Sequence, residues 1–290
     1  MLEKNKNYVV ISTIKNEWDN FFAQIIMLEN QDIKPIAWYI IVDDDQLDKY
    51  QYLVDTIHHS FPIYLSEIKN KTNINYYKRL AHNLDNLIKN INLEHFNQAQ
   101  YLMKLDGDIL IPYDYTYILL NELNNEKDIY VISGGIKTIG VKDPKRYNDF
   151  PLGAAMLFHK DIVNYWKGYP KYPASDTVLS LTALLLKKRV KMCDKTIMTQ
   201  VRNTSSRVGY NPTLSTAIKH YYLRYPLGLT ILYILKEKPT SLFNFIIWYL
   251  KNKKNAERLN DPNIIRINLE RLSKHKLAKL YFKVFGGRKK

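Results

Sequence analysis

The sequence predicts an α/β protein in which a mostly parallel sheet is flanked by helices and followed by a helical, amphipathic C-terminal extension. Three observations lead there. Short apolar runs alternate with stretches whose apolar residues recur at helical spacing. Several of those runs end in clusters of charged side chains. From Lys236 onward the chain turns basic, with fifteen Lys/Arg against four Asp/Glu, an excess of eleven out of a net +15. Strands alternating with helices pair in parallel with helices on both faces, and such sheets bind ligands beyond the carboxyl ends of their strands.

Taken in order, residues 8–13 (YVVIST) form the first strand, and 21–28 a helix. Residues 37–42 (AWYIIV) are a second, continuously apolar strand of the buried type, running straight into Asp43-Asp44-Asp45. Residues 61–68 are a third strand. Residues 76–91 read as an amphipathic helix through Leu80, Leu84, Leu87, Ile88 and Ile91. Residues 101–105 (YLMKL) make a fourth strand that ends in Asp106-Gly107-Asp108, and residues 129–133 a fifth. Three charged clusters therefore belong to one crevice: Lys15-Asn16-Glu17, Asp43-Asp44-Asp45 and Asp106-Gly107-Asp108.

Composition narrows the classes. With 290 residues, 46% hydrophobic and 13% aromatic, the chain has material for one large domain with an appendage and is neither disordered nor a disulfide scaffold. Its lone Cys193 and a start without the apolar core of a signal peptide predict a cytoplasmic setting. No apolar run reaches the roughly 18–20 residues that a spanning helix needs.

Neither a GxGxxG nor a GxxxxGK[ST] loop is present to cradle phosphates. Something else has to neutralise a diphosphate. Asp106 and Asp108, split by a glycine that permits close approach, form a hard-oxygen site for Mn²⁺ or Mg²⁺ with positions left for phosphate oxygens. An Asp-x-Asp alone is weak, because turns favour aspartate for local hydrogen bonding. Its place directly after a buried strand raises its weight.

Five segments in order carry a resemblance: Thr13-Ile14-Lys15-Asn16-Glu17 after the first strand, Ile40-Ile41-Val42-Asp43-Asp44, Lys104-Leu105-Asp106-Gly107-Asp108, residues 151–158 (PLGAAMLF), and Ser175-Asp176-Thr177-Val178-Leu179. Together, across residues 8–226, they resemble a family 2 glycosyltransferase of the GT-A, Rossmann-like fold. The resemblance implies transfer of a sugar, with inversion, from a UDP- or GDP-linked donor to a hydroxyl acceptor. It implies Thr13, Lys15, Glu17 and Asp44 in the nucleoside pocket, Lys78 and Arg79 near the diphosphate, Asp106 and Asp108 on the metal, and Asp176 as general base. Bland readings stand beside these. Asp43 and Asp45 suit helix capping, as do Ser175 and Asp176, and Lys78 and Arg79 suit a solvated helix face. Where relatives carry a metal-ligating His this chain has Gln200, with His220 as a rival ligand or a helix-surface residue. Arg202 and Arg207 flank a polar stretch suited to closing over the diphosphate.

The division expected is a catalytic domain over residues 1–226 and a basic amphipathic region over 227–290. Residues 227–235 and 241–250 are short apolar segments, and 264–285 reads as a basic amphipathic helix. That pattern suits an interfacial anchor on the inner face of an anionic membrane, which implies a lipid-linked acceptor. Packing as a helical bundle is the alternative. Two rival functions remain at this stage: a nucleotidyltransferase, whose Gly-rich basic signature the first strand lacks, and a protein using the tail on nucleic acid. The quantity of apolar side chain within the tail argues against nucleic acid.

Overall fold

The computed structural model describes residues 7–42, 46–67, 76–140, 150–202, 211–254 and 258–273. The chain runs β1 (Tyr8–Ile14), α1 (Trp18–Glu29), β2 (Ala37–Val42), α2 (Leu47–Thr56), β3 (Ile63–Glu67), α3 (Tyr76–Lys89), α4 (Leu93–Gln98), β4 (Tyr101–Leu105) and β5 (Ile109–Leu110). It continues through α5 (Tyr115–Asn125), β6 (Ile129–Thr138), β7 (Ala155–His159), α6 (Lys160–Trp166), α7 (Ser175–Leu185) and β8 (Arg189–Gln200). Among the described residues four helices follow: α8 (Pro212–Tyr222), α9 (Leu227–Glu237), α10 (Ser241–Asn252) and α11 (Pro262–Ser273). Two compact units result, one of Met1–Lys171 with Ser175–Asn203, the other of Tyr172–Ala174 with Thr204–Lys290. The second unit thus includes α8, ahead of the expected break at residue 226. Of the amphipathic helix expected over 264–285, α11 covers the first part, and residues 274–290 lie outside the described residues.

The first unit is α/β, as its alternating pattern predicts. Among the described residues its eight strands lie in the order β3-β2-β1-β4-β7-β6-β8-β5. The β3-β2-β1-β4 half is parallel throughout. Beyond β4 the sheet is mixed, since β7 runs antiparallel to β4 and β6 while β6 and β8 are parallel. Alternate residues of β1 point to opposite faces. Tyr8, Val10 and Ile14 pack with α1, α2 and α5 through Phe21, Ile25, Tyr50 and Leu119. Val9 and Ile11 pack on the other face with α3, α6 and α7 through Leu84, Leu87, Ile162 and Leu179. Burial on both faces is why β2 reads as an unbroken apolar run and β1 as one interrupted only by Ser12 and Thr13.

The strand β8 carries Arg189, Lys191 and Lys195 and gave no strand signal. Its lysines are answered by α5: Lys191 contacts Glu122 and Glu126, and Lys195 contacts Glu122.

In the second unit, Asn211 caps α8 by accepting from the Leu214 amide, with Pro212 in the first turn. Phe245 and Trp248 of α10 pack with Ala217 and Ile234. His220 is no surface residue. Its ring stacks on Tyr225 with centroids 4.2 Å apart and meets the edge of Tyr233. Burial, with Arg271 adding to it, pushes the imidazole down to about 4. A neutral ring is favoured in the folded state, so the unfolded chain takes up the proton first and stability falls as pH drops from about 6.5 toward 4. Up to about 3 kcal/mol should be lost across that window. Urea unfolding followed at Trp248, at pH 7 and 4.5, checks this: His220→Phe should abolish most of the acid loss, and an undiminished loss would count against it.

Candidate active site

The first strand ends in a turn that needs a left-handed residue, and Asn16 supplies it at φ 53°, a conformation asparagine tolerates better than most. That turn sets Glu17 against Gly107: a Cβ at residue 107 would lie 2.9 Å from the Glu17 Cγ, so only glycine fits between Asp106 and Asp108. The loop they share is pinned from several sides. The Asp106 amide donates to the Ala154 carbonyl at 2.8 Å, and the buried Gln24 of α1 donates to the carbonyls of Asp106 and Ile109, both at 2.8 Å. The Val201 amide donates to the Asp108 carbonyl at 2.9 Å.

At the centre is Lys104, a lysine inside a fully buried strand. Its side chain is 3% exposed, and its Nζ lies 2.6 Å from Asp106 Oδ1, 2.5 Å from the Gly153 carbonyl and 3.6 Å from Asp176 Oδ1. One ammonium therefore bridges the two aspartates from the strand side, while each carboxylate keeps 36% of its side chain open to solvent. Enclosure by surrounding protein raises the Asp106 carboxyl to about 6. Lys104 opposes that rise, and Asp176 and Asp108 add to it.

Asp176 sits in the first turn of α7, where a helix N-terminus favours a carboxylate. Tyr169 donates its hydroxyl to Asp176 Oδ1 at 3.1 Å, and the Tyr169 amide is held in turn by Asp85 at 3.0 Å. The other carboxylate oxygen lies against Gly153, where a Cβ would fall 1.9 Å from Asp176 Oδ2 and 2.7 Å from its Cβ. Gly153→Ala should therefore drive the Asp176 side chain out of its position. We expect about a hundredfold loss of turnover, the scale of a 1 Å misplacement, with the melting temperature lowered by only a few degrees. Steady-state kinetics beside a thermal melt would check it, and near-normal turnover would sink it.

On the other side of the turn, Gln200 at the end of β8 donates to Asp108 Oδ2 at 3.2 Å, while its amide oxygen accepts from Thr138 at 3.3 Å. In this arrangement Gln200 orients Asp108. Arg202 pairs with Glu17 at 2.6 Å and donates to the Asn16 carbonyl at 3.3 Å.

Of the residues singled out in the sequence, Glu17, Asp106, Asp108, Asp176, Gln200 and Arg202 are thus linked through Lys104 and Gly107. Thr13, half-buried, and Lys15, exposed, stand at the carboxyl end of β1, and Arg79 is half-buried on α3. Asp44, the Lys78 side chain and Arg207 lie outside the described residues. Sequence reasoning gave no role to Lys104, Gly153 or Tyr169. For Lys104 there was a signal, a lone charge in an otherwise apolar strand.

The donor set fits a divalent ion. Asp106 and Asp108 are two hard-oxygen carboxylates split by one residue, and Lys104 takes up only one oxygen of Asp106 from the strand side. Among the described residues no three His, Cys, Asp or Glu side chains gather as a metal site. Two carboxylates would leave the remaining positions to water and substrate oxygens.

No known family model matches the sequence, and no curated protein matches it. Solved structures do resemble it. The mannosyltransferase PcManGT from Pyrobaculum calidifontis, in complex with GDP-Man and Mn²⁺, aligns at 12% identity and a TM-score of 0.58 over 95% of this chain and 83% of that one. S. aureus TarS 1–349 in complex with UDP-GlcNAc aligns at 11% identity and a TM-score of 0.53, over 92% of this chain and 81% of that one. At these identities the likeness is one of fold: the chain has the GT-A-type α/β fold.

Proposed function

We propose that this chain is a glycosyltransferase that moves a sugar from a nucleotide-diphosphate donor to a hydroxyl acceptor, in the inverting manner of family 2. The observation that carries this reading is the meeting of Asp106 and Asp176 on the buried Lys104, with Asp108 just beyond Gly107 in the same turn, at the carboxyl end of β4. Fold-level likeness to proteins solved with GDP-Man and with UDP-GlcNAc supports a UDP- or GDP-linked sugar as partner. It does not by itself define chemistry.

In this reading Asp106 and Asp108 would hold Mn²⁺ or Mg²⁺, which when bound supplies Lewis-acid neutralisation of the departing diphosphate. Gln200 keeps Asp108 in place. Arg202, with Arg207 and Lys78, offers cationic donors to phosphate oxygens, and Thr13, Lys15, Glu17, Asp44 and Arg79 serve the nucleoside and diphosphate end. Tyr169 and Lys104 engage Asp176 Oδ1, and we assign Oδ2 to the proton of the acceptor hydroxyl. An acceptor linked to lipid, met at the inner face of a membrane, is the form of acceptor that the basic, apolar second unit suits.

A thermal shift with UDP, GDP and CMP, each with and without Mn²⁺, tests the class. One diphosphate should raise the melting temperature by several degrees, as saturation to about 100 Kd implies. The rise should need Mn²⁺ and vanish in Asp106→Ala with Asp108→Ala. Stabilisation independent of metal, or by none of the three, would overturn the reading.

A further inference from the structure

Helix α10 is apolar on both sides. One side belongs to the core of the second unit: Phe245 is buried and stacks on Trp248, with Leu242 packed beside them. The other side holds Phe243, Ile246, Ile247 and Leu250, spaced three and four residues apart along one stripe, and from 37% exposed at Ile247 to 69% at Phe243. A helix that is apolar all round calls for a neighbour on each side, and a contiguous stripe of this kind on a surface marks an interaction site.

The charges around the stripe indicate what the neighbour is. At 100° per residue, Lys251 and Lys253 fall on opposite edges of the stripe and Lys254 at its end. All three are exposed. Just ahead, the end of α9 adds the exposed Leu235 and Lys236, and the exposed turn between α9 and α10 adds Lys238. Among these positions Glu237 is the sole acid. A strip of grease bordered by lysines matches an anionic bilayer, where side chains enter the acyl boundary and ammonium groups stay among the headgroups. A second copy docked on the same stripe would bring the lysine borders of two molecules together, which like charges oppose. At 12 residues α10 is too short to cross, and among the described residues no helix is long and apolar enough to do so.

We infer that the Phe243-Ile246-Ile247-Leu250 face of α10 is the membrane-docking surface of this protein, seated lengthwise in the interface of an anionic leaflet with Lys236, Lys238, Lys251, Lys253 and Lys254 at the headgroups. This deepens the membrane part of the proposed function and rests on it, but not on sugar transfer.

The test is co-sedimentation of the full chain with phosphatidylcholine vesicles, alone or containing about one-third phosphatidylglycerol, without nucleotide or metal. Wild type should pellet with the anionic vesicles. Phe243→Ser with Ile247→Ser should lower partitioning tenfold or more, with an unchanged melting temperature and an unchanged nucleotide-dependent thermal shift. Lys251→Gln with Lys253→Gln should erase the preference for phosphatidylglycerol. Equal pelleting of the serine variant, no pelleting of wild type, or a wild-type dimer that the serine substitutions split in velocity sedimentation would each overturn the inference. Vesicle binding without any nucleotide-dependent shift would leave the docking surface standing and remove the transferase reading.

Discussion

Replacing Asp176 by Asn should cut turnover a thousandfold or more, within the range that a positioned base contributes, while the affinity for donor nucleotide changes little. The substitution keeps size and shape, and the amide oxygen can still accept from the Tyr169 hydroxyl, which donates to Asp176 Oδ1 at 3.1 Å. What it removes is the capacity to take a proton. If Asp176 were merely a favourable first-turn carboxylate on α7, the same change would leave turnover alone and cost only about 1 kcal/mol of stability or less. Initial rates with saturating donor, set beside nucleotide affinity and a melt, separate the two. Retained turnover with a lowered melting temperature would return Asp176 to a structural role.

The part of the site that could be read in the sequence is the part written in local pattern. Ala37–Val42 is apolar without a break, and Tyr101–Leu105 is apolar but for Lys104, because both faces of those strands are covered, and a carboxylate pair directly after such a strand falls at the carboxyl end of the sheet. Asp106-Gly107-Asp108 was legible for that reason. The strand Arg189–Gln200 was not, because its lysines are offset by glutamates of a helix more than sixty residues earlier, and no window along the chain contains both. Gly153 fails to announce itself for a related reason. Its missing side chain matters only because Asp176 occupies the space. Even Lys104, visible as an oddity, has a meaning only once the carbonyl of Gly153 and the carboxylate of Asp176 have been brought to it.

Lys104→Met should show what that buried ammonium does. Methionine fills a similar volume, so the substitution removes charge with little change of packing. It leaves Asp106 and Asp176 facing one another without their shared cation, and the Gly153 carbonyl without the donor now 2.5 Å away. Breaking a buried pair costs about 3–5 kcal/mol. Here both carboxylates remain 36% exposed, so about 2 kcal/mol is the better figure, a fall of roughly 3 °C for a chain of this size. A second effect distinguishes a role in the site from one in stability. The Asp106 carboxyl already stands near 6, with Lys104 holding it from rising further. Without Lys104 it climbs, so at neutral pH a larger share is protonated and unable to hold a metal. Metal-dependent nucleotide binding should then strengthen with rising pH from 7 to 9 in the variant, while wild type, already ionised above about 6, stays level. A variant that melts earlier but keeps the wild-type pH profile would make Lys104 a scaffold residue alone, and the charge balance at the end of β4 would have to come from elsewhere.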